Sequence, residues 1–275
     1  MIPAPFDYVR AGSADEALAA LAEHGDEAKL LAGGHSLLPL MKLRLASPSV
    51  LVDVGRLSDL TGVRQDGDDV VIGALTTHHD VERSDVLRQQ VPLLAHVAGQ
   101  VGDPQVRHRG TIGGSIAHAD PASDLPAAVL ALGGSFTAVS AARGSRSIAA
   151  TDFFTGFLES ALEPDELLTE IRVPAVPGAG WSFQKFNRRA LDWAIVGVAA
   201  VARNGSSGVG LVNMGPTPLL AAGVVEAWSG GASPAEAAER VAEGADPGAD
   251  MNATVEYRTH LATVLTRRAL EEAGG

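Results

Sequence analysis

The chain has 275 residues, 46% of them hydrophobic and 20% charged, with no cysteine and a formal net charge of −12. Such a composition supports a sizeable core and excludes disorder, and the acidic balance argues against nucleic acid or an anionic membrane as the main partner. Without a thiol this chain has no disulfide, no thiolate nucleophile and no iron–sulfur cluster of its own. The stretch Met1-Ile2-Pro3-Ala4-Pro5-Phe6-Asp7 lacks the basic and apolar regions of a secretory signal. No apolar run approaches the ~20 residues of a transmembrane segment, so the expected location is cytoplasmic.

In chain order, Ser13 stands three residues ahead of Glu16, the spacing of a capping box. Ala17, Leu18, Leu21 and Ala22 continue at helical spacing to a stop at Gly25. Residues 29–32 read as a short buried strand running into Gly33-Gly34, followed by a helix over 36–43 and a strand over 50–54. Another strand is expected over 69–75, and Thr76-Thr77-His78-His79-Asp80 reads as a loop capping a helix over 81–84. A helix over 92–101 opens on Pro92, where the missing N–H costs nothing. Residues 124–132 are helical in pattern, and 135–140, 145–148 and 167–173 are strand-like. The proline-rich, aperiodic stretch 174–180 is a linker. Beyond it come strands over 182–187, 193–203 and 208–213, then helices over 219–228, 234–241 and 255–273, an order that marks an α+β unit.

Two stretches share one design. Leu30-Leu31-Ala32-Gly33-Gly34-His35-Ser36 and Gly110-Thr111-Ile112-Gly113-Gly114-Ser115 each run from apolar residues into paired glycines with a small hydroxylated residue close behind. Paired glycines let backbone N–H groups approach a ligand, and successive N–H groups beside a helix start form a concave anion site. Two such turns suggest two loops closing on one diphosphate, although each alone is equally a plain turn. Neither fits the Walker or the Gly-x-Gly-x-x-Gly pattern.

Other residues carry weaker signals. His78-His79-Asp80 is a poor metal site, because adjacent histidines diverge and no third ligand follows at suitable spacing. Arg107 and Arg109 either steady phosphates or pair with local acids such as Asp103. Asp124 reads most simply as a helix N-cap, Trp193 as a core aromatic and Lys185 as a surface lysine.

Taken together, Ala32-Gly33-Gly34-His35-Ser36-Leu37-Leu38-Pro39, Pro104-Gln105-Val106-Arg107 leading into Arg109-Gly110-Thr111-Ile112-Gly113-Gly114-Ser115, Asp120-Pro121-Ala122-Ser123-Asp124-Leu125-Pro126 and Glu170-Ile171-Arg172-Val173-Pro174 resemble the FAD-binding medium subunit of the molybdenum hydroxylases. The resemblance is to the carbon monoxide dehydrogenase medium-chain type, whose domain also sits within xanthine dehydrogenase, and it spans nearly the whole chain. It implies an α+β fold: a two-subdomain FAD-binding domain of the p-cresol methylhydroxylase and vanillyl-alcohol oxidase type over 1–176, divided at about residue 55, and a C-terminal domain over 177–275 with a three-stranded sheet and helices. It implies that Ala32, Gly33, Gly34, His35 and Ser36, with Thr111, Ile112, Gly113, Gly114 and Ser115, wrap the FAD diphosphate. Asp124, Leu168 and Lys185 would contact the cofactor and Trp193 would lie against the flavin ring, where the resemblance leads one to expect tyrosine or an aliphatic residue.

The implied role is electron transfer. A small subunit with [2Fe–2S] clusters would pass electrons from a large molybdopterin subunit to non-covalent FAD, and from there to an external acceptor, within a dimer of heterotrimers. Two further readings stand beside it: a stand-alone flavin oxidase with FAD linked covalently to His35 of the Gly-Gly-His triplet, and a scaffold protein without flavin.

Overall fold

The computed structural model describes residues 2–203 and 207–274. Its first sheet joins β1 (Asp7–Arg10), β2 (Ala28–Leu31) and β3 (Val50–Asp53), all parallel, with β3 in the middle. Between β1 and β2 runs α1 (Ala14–His24), and α2 (Leu37–Leu43) separates β2 from β3. Helix α1 starts where expected, because the Ser13 hydroxyl accepts the N–H of Glu16 at 3.1 Å. The reciprocal half of the box is displaced: the Glu16 carboxylate takes the N–H of Gly12 at 2.7 Å. Ala17, Ala20 and Leu21 of α1 pack on Val50 and Val52 in one buried cluster.

The second sheet is antiparallel, in the order β4 (Val63–Asp66), β5 (Asp69–Gly73), β10 (Glu166–Pro174), β6 (Ser135–Ser140), β7 (Gly144–Ala149). A small hairpin of β8 (Phe154–Gly156) and β9 (Glu159–Ser160) stands apart from it, preceded by α9 (Ala150–Phe153). Six helices fill the connection from β5 to β6: α3 (His78–Arg83), α4 (Asp85–Gln90), α5 (Pro92–Gly99), α6 (Pro104–Arg107), α7 (Ile112–His118) and α8 (Asp124–Leu132). Every residue of α8 is buried, as its unbroken apolar run requires.

The third sheet runs β11 (Gly180–Phe186), β12 (Val196–Ala202), β13 (Gly208–Val212), β14 (Leu219–Leu220), again antiparallel, and is followed by α10 (Ala222–Ser229), α11 (Pro234–Ala238) and α12 (Val255–Ala273). Strand β12 is covered on both faces. Val196, Val198 and Ala200 face the cluster that includes Leu261, Leu265 and Leu270 of α12, while Ala199 and Val201 join the cluster built on α5 and α8. Each valine so buried contributes roughly 1.5–3 kcal/mol. Strand β13 touches α8 without intervening side chains: a Cβ on Gly208 would lie 1.9 Å from the Ala131 carbonyl oxygen, and one on Gly210 2.0 Å from that of Ala127.

Three sequence expectations are corrected, and two strands, β1 and β4, appear that the sequence reading does not contain. The third sheet has four strands rather than three, because Leu219 and Leu220, expected to open a helix, pair with Leu211 and Gly210. Trp193 does not begin a strand; regular pairing starts at Val196, and Trp193 sits in the β11–β12 loop. The histidine pair opens α3 rather than preceding it, since Thr77 caps the helix by accepting the N–H of Asp80 at 3.1 Å. Strands β1 and β4, both largely exposed and polar, escape a search for apolar periodicity because they are edge strands. The contact of α8 with β13 leads to a prediction. Gly210→Ala should destabilise the protein by about 2–3 kcal/mol in urea unfolding through overpacking; an unchanged midpoint would show that α8 can withdraw from the sheet at no cost.

Candidate functional site

The first glycine turn joins β2 to α2 and leaves its amides free. Gly34 has φ +78°, a conformation that glycine adopts without penalty. Among the described residues no protein acceptor takes the N–H of Gly33, Gly34, His35 or Ser36, and the Ser36 hydroxyl makes no capping bond to α2. Two of these donors, Gly33 and Gly34, line a concave space of about 170 Å³ together with Ala32, Asp53, Arg56 and Arg109. Neither guanidinium has an ion-pair partner among the described residues.

The second glycine pair is built differently. Gly113 and Gly114 lie in the first turn of α7, with Thr111 as N-cap accepting the Gly114 N–H at 3.1 Å. The N–H of Ile112 is bound by Thr76 O at 3.0 Å and that of Gly113 by Ala74 O at 2.8 Å, which ties the helix start to the chain leaving β5. A Cβ on Gly113 would fall 2.6 Å from the Ala74 oxygen, so this glycine serves packing. Gly114 is exposed, but a Cβ there would stand 2.8 Å from the buried Thr111 hydroxyl that takes its N–H, and of the Thr111 and Ser115 hydroxyls only that of Ser115 has no protein partner among the described residues.

The two turns meet at backbone level. A Cβ on Gly33 would stand 2.1 Å from the Arg109 carbonyl oxygen and 2.9 Å from the Cα of Gly110. On its other side Gly110 is covered by the His78 ring, which a Cβ there would approach to 2.8 Å, and the His78 N–H donates to Gly110 O at 2.9 Å. His78 is buried, and its Nδ1 has no partner. Burial, reinforced by the nearby charges of His35 and Arg107, lowers its pKa to about 4, so the ring is neutral near pH 7. His79 stacks on His108 with centroids 4.0 Å apart. Arg107 pairs with Glu82 at 3.2 Å rather than with Asp103, whose carboxylate instead caps α6 by accepting the N–H of Val106 at 2.9 Å. The sequence places His78 in a capping loop and offers it as a poor metal ligand; the Thr77–Asp80 capping pair is the signal that places it on a helix against the second turn.

Asp124 and Lys185 are brought together from opposite sides of the linker. Ser123 occupies the N-cap position, and Asp124 is the first residue of α8. Lys185 Nζ on β11 donates to Asp124 Oδ2 at 2.6 Å and to Gln100 O at 3.0 Å, with both side chains buried. Burial raises the pKa of Asp124, opposed by the charge and hydrogen bond of Lys185. Its Oδ1 is buried without a partner. Leu168 is buried at the β-bulge of β10, and Trp193 is 60% exposed in the β11–β12 loop, so it is not the core aromatic that composition suggested. No group of three or more His, Asp or Glu side chains positioned for a metal ion occurs among the described residues.

Residues 4–176 match the family of the FAD binding domain in molybdopterin dehydrogenase, and residues 181–273 match the CO dehydrogenase flavoprotein C-terminal domain. The chain belongs to this flavoprotein family. It is 42% identical to the carbon monoxide dehydrogenase medium chain of Hydrogenophaga pseudoflava, over 99% of this chain and 98% of that one. It is 37% identical to the caffeine dehydrogenase subunit beta of a Pseudomonas species, over 99% of this chain and 96% of that one. A solved carbon monoxide dehydrogenase from Hydrogenophaga pseudoflava superposes with a TM-score of 0.95 at 41% identity, covering 100% of this chain and 99% of that one. As a member of the flavoprotein family the chain is an oxidoreductase component that carries FAD.

The residues present fit that cofactor. Free amides on the first turn, the Ser36 and Ser115 hydroxyls and two guanidinium groups without an ion-pair partner among the described residues are a donor set for a diphosphate. A pH prediction comes from His78. Unfolded, its imidazole binds a proton below its ordinary value of 6.5; folded, it does so only below about 4. Stability contributed by the neutral ring is therefore complete above about pH 6.5 and lost as pH falls toward about 4, amounting to ~3 kcal/mol. Thermal melts over this range should fall less steeply for His78→Gln than for the wild type, and parallel slopes would remove His78 as the titrating group.

Proposed function

We propose that this chain is the electron-transfer flavoprotein subunit of a cytoplasmic, heterotrimeric molybdenum hydroxylase, in an assembly that pairs two heterotrimers. The observation that carries the reading is the backbone contact of the two glycine turns beside four consecutive unpaired amides. On this reading 1–176 is the FAD-binding domain, with subdomains dividing at about residue 55, and 177–275 is the C-terminal domain.

In the proposed site the N–H groups of Gly33, Gly34, His35 and Ser36 bind the diphosphate, and Ala32 sets the approach of β2 to the turn. Thr111, Gly114 and Ser115 close the opposite side, held in place by the docked amides of Ile112 and Gly113. Arg109 and Arg56 offset the ligand's charge at a point where the chain as a whole is acidic. Asp124 and Lys185 hold one another in fixed orientation and, with Leu168, contact the cofactor. Trp193 lies against the flavin ring and limits the access of water and acceptor to that face.

FAD, when bound, supplies a redox centre able to take electrons singly and release them in pairs. The clusters that deliver those electrons belong on a partner, because this chain has no cysteine to hold them. Molybdopterin and the choice of substrate belong on a further, large subunit. Relatives named for carbon monoxide and for caffeine match this chain over nearly its whole length at similar identity, which supports a substrate chosen elsewhere.

The test is the visible spectrum of the protein after incubation with FAD and desalting, alone and co-expressed with its partners. A flavin band that leaves with the supernatant on acid precipitation is expected. Absence of flavin from both preparations would overturn the proposal, and flavin retained in the precipitate would move the assignment to a His35-linked oxidase. Gly33→Ala should abolish flavin retention, since its methyl would force Arg109 away and open the cradle; stoichiometric FAD in that variant would sink the role of the first turn.

A further inference from the structure

Trp193 is exposed, yet the two residues after it are buried and their carbonyl oxygens are gripped from two elements distant in sequence. Asn213, just past β13, has φ +61°. Its side-chain amide donates to Ala194 O at 3.0 Å and to Ile195 O at 3.3 Å. Its backbone N–H donates to Pro121 O at 2.7 Å, in the turn that leads into Asp124. On α12 the buried Arg258 donates to Ile195 O at 2.5 Å and to Asp250 Oδ2 at 2.6 Å. The Ile195 N–H closes the loop by bonding Phe186 O at 2.8 Å, one residue beyond Lys185.

We infer that Asn213, backed by Arg258, is a positioning residue that fixes Trp193 relative to the Asp124–Lys185 pair. The inference rests on the proposal that Trp193 lies against the flavin ring. A left-handed backbone is open to glycine and, among other residues, to asparagine. Glycine would serve the backbone alone, so what Asn213 adds is its two amide protons, both spent on the residues that follow Trp193. One residue thus ties three pieces of chain: its side chain holds the Trp193 loop to the end of β13, and its backbone N–H holds that end to the turn before α8. Arg258 supplies a rigid planar fork behind it, with one arm on the loop and the other on Asp250. Trp193 is accordingly an aromatic presented to the surface from a fixed base.

The test uses a protein in which Trp193 is the sole tryptophan, made by Trp181→Phe and Trp228→Phe. In that background Asn213→Gly keeps the left-handed backbone and the bond to Pro121 while deleting both amide donors. Expected are a rise in acrylamide quenching of Trp193 and a loss of its fluorescence anisotropy, with the far-ultraviolet circular dichroism retained. Asn213→Asp, which turns a carboxylate toward two carbonyls, should act in the same direction and more strongly. Unchanged quenching and anisotropy in both variants would overturn the inference.

The link to the cofactor is read in the FAD-loaded protein by flavin circular dichroism in the visible range. Trp193→Phe and Asn213→Gly should each alter it, and Asn213→Gly should add nothing on top of Trp193→Phe. If Trp193→Phe leaves the flavin signal untouched, the placement of Trp193 against the ring fails, while the quenching result still judges the clamp. An altered signal in Trp193→Phe but not in Asn213→Gly would refute the positioning role itself.

Discussion

Everything around the candidate site depends on one steric constraint: the backbone at Gly33 lies against the backbone at Arg109 and Gly110 with no room for a methyl group between them. Parallel pairing with β3 delivers the first turn, and the chain leaving β5 anchors the second through Ala74 and Thr76. Ala74 belongs to the cluster under the antiparallel sheet and Leu75 to the cluster under the parallel one, so two successive residues join two cores at the level of the turns. A shift of either sheet would therefore register first as a change in the spacing of the two turns. His78 acts as a spacer on the far side of Gly110, and its neutrality spares the junction a buried charge beside Arg107.

The two turns, alike in sequence, divide the work. The first has free amides because nothing in the fold turns toward them, and its glycines are needed for φ and for close approach. The second spends the amides of Ile112 and Gly113 on the body of the protein and that of Gly114 on the Thr111 hydroxyl, which leaves the Ser115 hydroxyl unspent among the described residues. One side of the cradle is thus rigid and the other donor-rich. On the proposed reading, this arrangement would let a chain with a net charge of −12 receive an anion with two arginines and no lysine among the lining residues.

Much of this was legible from residues alone, and the exceptions share a cause. Long apolar runs such as α8 and β12 announce themselves, because burial on all sides leaves no polar positions to confuse the pattern. The glycine pairs were visible as turns, but whether their amides are free is decided by which carbonyls arrive from elsewhere, and Ala74 and Thr76 are distant in sequence from Gly113. Lys185 reads as a surface residue because its partner, Asp124, is 61 positions away. Trp193 reads as core because aromatic residues are scarce in the chain, and only the loop geometry turns it outward. The edge strands β1 and β4 carry polar residues for the reason that edges do, so periodicity misses them.

The seating of β13 on α8 bears on how such chains can be recombined. Gly208 and Gly210 are flush with the carbonyls of Ala131 and Ala127, and Lys185 neutralises Asp124 at the start of the same helix. The two family segments meet in sequence near residue 180, but the surface that joins them is moulded residue by residue. A hybrid that took its front half from one ancestor and its back half from another would have to inherit small residues in β13 and a basic partner on β11 together. A boundary that looks separable along the chain is thus not separable in space, and a graft at the proline-rich stretch has to match both sides of this surface to fold.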